Sequence, residues 1–324
     1  MRLWRLAALC VISAARAPDG RSMQLIHIPK TGVTSLEQDL RARGVAVEPL
    51  NERCYAAVRR EGPVHGVMLR APRAHVRSMY MQCRYAPASS SITTHFAGFP
   101  GAPRNDTDGL RAWLDHFGAN WSHAGRGDFG CYTPLDHQCH HLACADGGDV
   151  CPGDAAAAAD YARDPLKTNA RRGLPAPRGA GLCTPASHHR AGGAEDAWPR
   201  AAELAAALRA LDAIEVVGLV EHYEASLCLF AYFALGALPA DCACDAAADV
   251  TRARHGVPDY EAERLPGDVV ARIDAVTAMD RALYDRGQER FFKHVRQVER
   301  AAGARVLCGT TRRMPRPLAG RRRS

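Results

Sequence analysis

The segment His27-Ile28-Pro29-Lys30-Thr31-Gly32-Val33-Thr34-Ser35 holds the residue types that grip an anion. Lys30 supplies a flexible point charge, Thr34 and Ser35 supply hydroxyl donors, and Gly32 lets the backbone approach a ligand closely. The segment lies between an apolar run and a helical pattern, so the peptide N–H groups and dipole of a helix N-terminus add to the donors. Only one glycine is present and Lys30 precedes it, which is not the Walker arrangement. A second segment, Val67-Met68-Leu69-Arg70-Ala71-Pro72-Arg73-Ala74-His75-Val76-Arg77-Ser78, offers Arg70 for bidentate contacts to a phosphate. Ser78, about two helical turns farther on, adds a hydroxyl.

These side chains need elements to position them. Gln24–Ile28 reads as a short strand, and Leu36 and Leu40 at i, i+4 give a helix from Thr34. Val64–Leu69 is a second apolar run, read as a buried strand. Arg70 then stands at its carboxyl end, where open α/β sheets bind ligands. Pro72 suits the first turn of the next helix, whose face is Val76, Met79 and Cys83. Residues 86–110 are rich in Ser, Gly and Pro and read as loop, and 145–200 as a surface insertion. Regularity returns in a helix over Ala201–Leu211, a strand within Ala213–Val220 and a helix from His222 to Leu235. A last long helix spans Gly267–Arg300, with an interruption expected near Gly287. Strands alternating with helices indicate an α/β fold of three layers about a mostly parallel sheet.

The chain has 324 residues, 47% hydrophobic and 24% charged, which is globular in class. Lys plus Arg total 42 against 35 Asp plus Glu, a net +7. Nine of those cations are arginines confined to residues 1–17 and 312–324, so the body between them is slightly acidic. That distribution argues against a nucleic-acid partner. No run of eighteen apolar residues exists, which excludes a multi-span membrane protein. The first 17 residues, basic and then apolar from Leu6 to Ala15, read as a signal peptide or a short signal-anchor. Residues 303–324 read as a basic disordered tail. Twelve cysteines, with sequons at Asn105 and Asn120, favour a secretory lumen and disulfides. Cys139-His140-His141-x-x-Cys144 has zinc-ligand residue types, but its spacing fits no common module, so disulfides are the expectation there and no metal is assigned. Cys242 and Cys244 stand too close to bridge each other, so each calls for a partner elsewhere.

The pairing of strand–(Pro-Lys-Thr-Gly-x-Thr-Ser)–helix with strand–(Leu-Arg-x-Pro-x-x-x-x-x-Ser) resembles the Golgi carbohydrate sulfotransferases, including those acting on heparan sulfate. The resemblance implies a P-loop-like domain over 22–302, with a Cys-rich insertion at about 86–200. It implies 3′-phosphoadenylyl sulfate (PAPS) as donor and a carbohydrate hydroxyl as acceptor. By the same resemblance Lys30, Thr31, Gly32, Val33, Thr34 and Ser35 hold the 5′-phosphosulfate, and Arg70 and Ser78 hold the 3′-phosphate. Val216–Leu227 and the closing helix with Asp280, Leu283, Tyr284, Arg290 and Phe291 are also similar to that family. Val33 stands where the family's loop has a second glycine, and Arg70-Ala71-Pro72 where it has Arg-Asp-Pro. Lys30 is the expected stabiliser of the leaving oxygen. A histidine is the usual base for the acceptor proton. The one histidine between the motifs, His65, belongs to the start of the second strand, on the wrong side, which leaves His95 and His137 as candidates. Two other classes fit parts of the chain: a catalytically silent glycan-binding protein that kept this fold, and a P-loop nucleotide-binding protein of the kinase type.

Overall fold

The structure is a computed structural model that describes residues 21–48, 55, 63–85, 106–116, 134–143, 200–244 and 264–308. Its strands are β1 (Met23–Ile26), β2 (Val47–Glu48), β3 (Val64–Leu69) and β4 (Val216–Leu219), and they form one all-parallel sheet in the order β2-β1-β3-β4. Among the described residues eight α-helices surround it: α1 (Val33–Ala42), α2 (Pro72–Tyr85), α3 (Asp106–His116), α4 (His137–Ala143), α5 (Arg200–Ala213), α6 (Tyr223–Leu235), α7 (Gly267–Val276) and α8 (Ala278–Ala302). The fold is a three-layer α/β fold. Every residue of β1, β3 and β4 is buried, as expected of strands covered on both faces.

Each face of the sheet is closed by a specific contact. On one face Phe230 of α6 lies over Gly66 and Gly218, where an added Cβ would come within 2.3 Å and 2.5 Å of its ring. The small residues on β3 and β4 let a whole phenyl ring approach the backbone, and α1 packs beside α6. On the other face α8 crosses β3 and β4, with Gly287 against Leu69 and Val217. Helices α4 and α5 pack with α8.

Two expectations need correction. The closing helix is not broken at Gly287, which is buried in mid-helix and serves close approach to Leu69. The break falls at Thr277 between α7 and α8, where φ is −127° and the Thr277 hydroxyl donates back to Ile273 O at 2.7 Å. Nor is all of 86–110 loop, because α3 begins at Asp106. Its Leu110, Trp113 and Leu114 recur at i, i+3, i+4 and bury against Val76, Met79 and Tyr80 of α2 and Val269 and Ile273 of α7. This second core ties α2 in place from its outer side.

Two disulfides, Cys228–Cys242 and Cys244–Cys308, give both cysteines of the Cys242-x-Cys244 pair separate partners. Cys139, expected in a disulfide, is instead a buried free thiol. Among the described residues no helix is long and apolar enough to cross a membrane. The expected signal or anchor, the insertion beyond residue 143 and residues 309–324 of the expected tail lie outside the described residues. The tail expected from residue 303 starts later than that, because Val306 is buried in the core and Cys308 is held by its disulfide.

Candidate functional site

Strand order reverses between β1 and β3. From β1 the chain crosses to β2 on one side, then to β3 and β4 on the other. The carboxyl ends of β1 and β3 therefore flank a switch-point crevice, the usual ligand position in an open α/β sheet. Lys30 follows β1 and Arg70 follows β3, so the two sequence motifs meet there. Arg70 Nη1 donates to Lys30 O at 3.1 Å.

The loop after β1 is held in an uncommon conformation. Lys30 has φ 65° and Gly32 has φ 74°. A left-handed lysine is strained, and such strain persists only where surrounding bonds over-determine it. Here they do. The Thr31 hydroxyl donates to Ile28 O at 2.8 Å, His75 Nε2 donates to Pro29 O at 2.8 Å, and Lys30 Nζ donates to Gln82 Oε1 at 2.8 Å. His75, Ser78 and Gln82 fall at i, i+3, i+7 on α2, so one face of that helix covers the loop. Ser78 sits between the two anchoring residues and is 3% exposed.

Val33 needs no glycine-like freedom. It is the first residue of α1, is 2% exposed and belongs to the core. The left-handed positions in this loop are Lys30 and Gly32. Gly32 is the N-cap of α1 and brings no side chain to its first-turn amides, which include those of Thr34 and Ser35. Thr31 is fully buried and Ser35 nearly so, whereas Lys30, Gly32 and Thr34 are partly exposed.

Arg70 is fixed by Gln138, which sequence reasoning passed over, and the residue after it by Glu221, which lies in the family-like segment 216–227 but has no role assigned by the sequence. Gln138 accepts the Arg70 N–H at 2.9 Å and donates to Arg70 O at 2.8 Å, as a neighbouring strand would. Glu221, just after β4, accepts the Ala71 N–H at 2.8 Å and the Tyr284 O–H at 2.8 Å. It places a carboxylate at the N-terminus of α2, where the helix dipole favours it. Burial and Glu221 raise the Tyr284 pKa, so the phenol stays a donor.

Beneath the loop lies a group of histidines. His137, the first residue of α4, is fully enclosed, with ring centroids 5.7 Å from His75 and 6.1 Å from His141. Burial holds His75 and His141 well below the ordinary imidazole range, with the charge of His137 adding to it, and holds His27 at about 4. His27, His75 and His141 act as neutral packing and hydrogen-bonding groups. His95 lies outside the described residues. His65, in β3, pairs with Glu215 at the amino end of the sheet, away from the crevice.

Two buried aspartates lock α4 to α8 by capping each other's helix. Asp136 Oδ1 accepts the Met279 and Asp280 N–H groups at 2.7 and 3.0 Å. Asp280 accepts the Cys139 and Gln138 N–H groups at 2.7 and 3.3 Å. Burial and the Asp136 charge push the Asp280 pKa up to about 8. Burial and the two carboxylates also raise the Cys139 thiol, which keeps it protonated. Among the described residues no group of three His, Cys, Asp or Glu side chains is arranged to hold a metal ion.

No known relative decides the family. No protein-family model, curated protein or solved structure matches this chain. The functional reading therefore stands on the crevice and its residues.

Proposed function

We propose that the protein is a PAPS-dependent sulfotransferase that transfers the sulfuryl group to a carbohydrate hydroxyl in the secretory pathway. One observation carries the reading. The Lys30 loop and Arg70 are brought together at the switch point of a parallel sheet, joined by the Arg70–Lys30 hydrogen bond. A donor with a phosphosulfate at one end and a 3′-phosphate at the other needs two cationic grips of this kind.

In this reading the first-turn amides of α1 and Lys30 take the 5′-phosphosulfate, and Arg70 takes the 3′-phosphate with Ser78. Sulfuryl transfer runs in line, so the protein's task is to position and stabilise charge. Lys30 leaves Gln82 to neutralise the oxygen that departs with the nucleotide. His75, Gln82, Gln138 and Glu221 are positioning residues that hold the loop, the Arg70 peptide and the start of α2. His137 is enclosed under the loop, so we assign the acceptor's proton to His95.

The test is incubation of the full chain with labelled PAPS and a glycan panel, followed by mass spectrometry. A sulfated product lost in Lys30→Ala and reduced in His95→Ala supports the reading. Donor binding with no product across the panel would favour the silent glycan-binding alternative.

A further inference from the structure

The outer face of α8 carries a second feature, at the opposite end of the sheet from the crevice. Tyr284, early in α8, reaches Glu221 beyond the carboxyl end of β4. Arg290 reaches Ile214 O, before the amino end of β4, at 2.6 Å. The helix thus runs antiparallel to the strands, and its later half overhangs their amino ends.

A cavity of about 510 Å³ lies there, lined by Arg286, Arg290, Lys293, His294 and Arg296, with Asp212 and Glu289. Its charges do not balance. Arg286 engages both carboxylates, with Asp212 at 3.0 Å and Glu289 at 3.1 Å. Arg290 donates to the carbonyl oxygens of Leu211 and Ile214, with Asp212 only at 3.8 Å. Among the described residues no carboxylate pairs with Lys293 or Arg296. Several other helix-face arginines do have such partners: Arg73 with Asp274, Arg111 with Asp268 and Arg272 with Asp115. Beside the unbalanced cations His294 is 8% exposed, and its Nδ1 is buried without a hydrogen-bond partner. Burial, Arg290 and Lys293 hold this imidazole at about 4, so it is neutral and adds no charge of its own to the wall.

We infer that this cavity and the α8 face around it form a distal binding site for a sulfated oligosaccharide. Exposed cations without carboxylate partners are the complement of sulfate esters. Lys293, Arg296 and Arg300, which have no carboxylate partner among the described residues, spread over about 10 Å of helix, which suits a chain of repeated anions better than a single ion. The disulfides flanking this end of α8, Cys228–Cys242 and Cys244–Cys308, favour an oxidising compartment, where glycans and not nucleic acids are the abundant polyanions. The inference rests on the sulfotransferase reading for its ligand class. It adds a site that would hold an already sulfated stretch of acceptor away from the reacting hydroxyl.

The experiment titrates full-length protein with a heparin hexasaccharide by calorimetry and maps hydrogen exchange. Lys293→Ser/Arg296→Ser should weaken binding at least about fivefold and abolish hexasaccharide-dependent protection of 286–300. Arg111→Ser/Arg272→Ser, which removes the same formal charge elsewhere, should leave affinity within about twofold. A smaller loss in the first variant, or protection confined to the Lys30 and Arg70 segments, overturns the inference. A polyphosphate of equal charge that binds as tightly through Lys293 and Arg296 overturns the glycan assignment. Adenosine 3′,5′-bisphosphate is titrated in parallel. If that nucleotide binds and the hexasaccharide does not, the distal site fails while the sulfotransferase reading stands. If the nucleotide does not bind, the function itself fails.

Discussion

Gly218→Ala tests how the sheet is joined to α6, the helix that follows Glu221 and the crevice. The new Cβ would stand 2.4 Å from Met68 Sδ, 2.5 Å from Phe230 Cε2 and 2.9 Å from Ser226 Cβ. Met68 can turn its sulfur aside. Ser226 cannot, because its hydroxyl both accepts the Leu219 N–H at 2.8 Å and donates to Leu219 O at 2.9 Å. Phe230 is fully buried across both strands, so α6 must shift. Overpacking of this kind costs about 1–3 kcal/mol. Trimming the ring should relieve it, so Gly218→Ala/Phe230→Leu should be more stable than the sum of the single effects by about 1 kcal/mol. The assay is urea unfolding of the four proteins of the cycle, with m-values checked for constancy. Gly267→Ala is the control, because nothing lies within 4 Å of its Cβ position, and it should change stability by less than about 0.5 kcal/mol. Additivity within about 0.5 kcal/mol would refute the packing argument.

Other expectations follow from the caps and the loop. Asp280 has its pKa raised to about 8, so between its unfolded value near 4 and that pH the native state holds a proton that the unfolded chain has lost. Stability from this group therefore falls as pH rises. His27, His75 and His141 have lowered values and act in the opposite sense below about pH 6.5, so the slope is read from 6.5 to 8. Asp280→Asn should flatten the urea midpoint over that range, and an unchanged slope would contradict the assignment. Glu221→Ala should cost about 1–2 kcal/mol by uncapping α2 and should raise the donor KM, with Glu221→Gln intermediate in both. Val33→Gly should lower the melting temperature without tightening nucleotide binding, because Val33 is a core residue in a helical conformation. Tighter binding would show that the loop does need a second glycine.

The periodic parts of the fold were legible in the sequence. Val64–Leu69 is a strand with the bounds its apolar run gives, and Pro72 opens α2 as its fixed φ favours. Lys30 and Arg70 stand out because their residue types and neighbouring breaks are local signals. The supports of the site were not legible. Gln138 meets Arg70 across 68 residues and carries no pattern of its own; Glu221 lies in a recognisable segment, but nothing local shows that it meets Ala71 across 150. The Asp136–Asp280 locks likewise depend on two helix ends meeting in space. Gly287 misled because a helical glycine signals weakness locally, whereas here Leu69 needs the room. His137 misled because the stretch after the second motif reads as loop, whereas this residue opens the buried helix α4.

The central claim is that Lys30 and Arg70 form one donor crevice, and calorimetric titration with adenosine 3′,5′-bisphosphate tests it most directly. The nucleotide should bind the parent chain, and Lys30→Ala and Arg70→Ala should each weaken it about tenfold or more, as loss of a charge-assisted contact implies. Unchanged affinity in both variants, with folding intact by circular dichroism, would contradict the account.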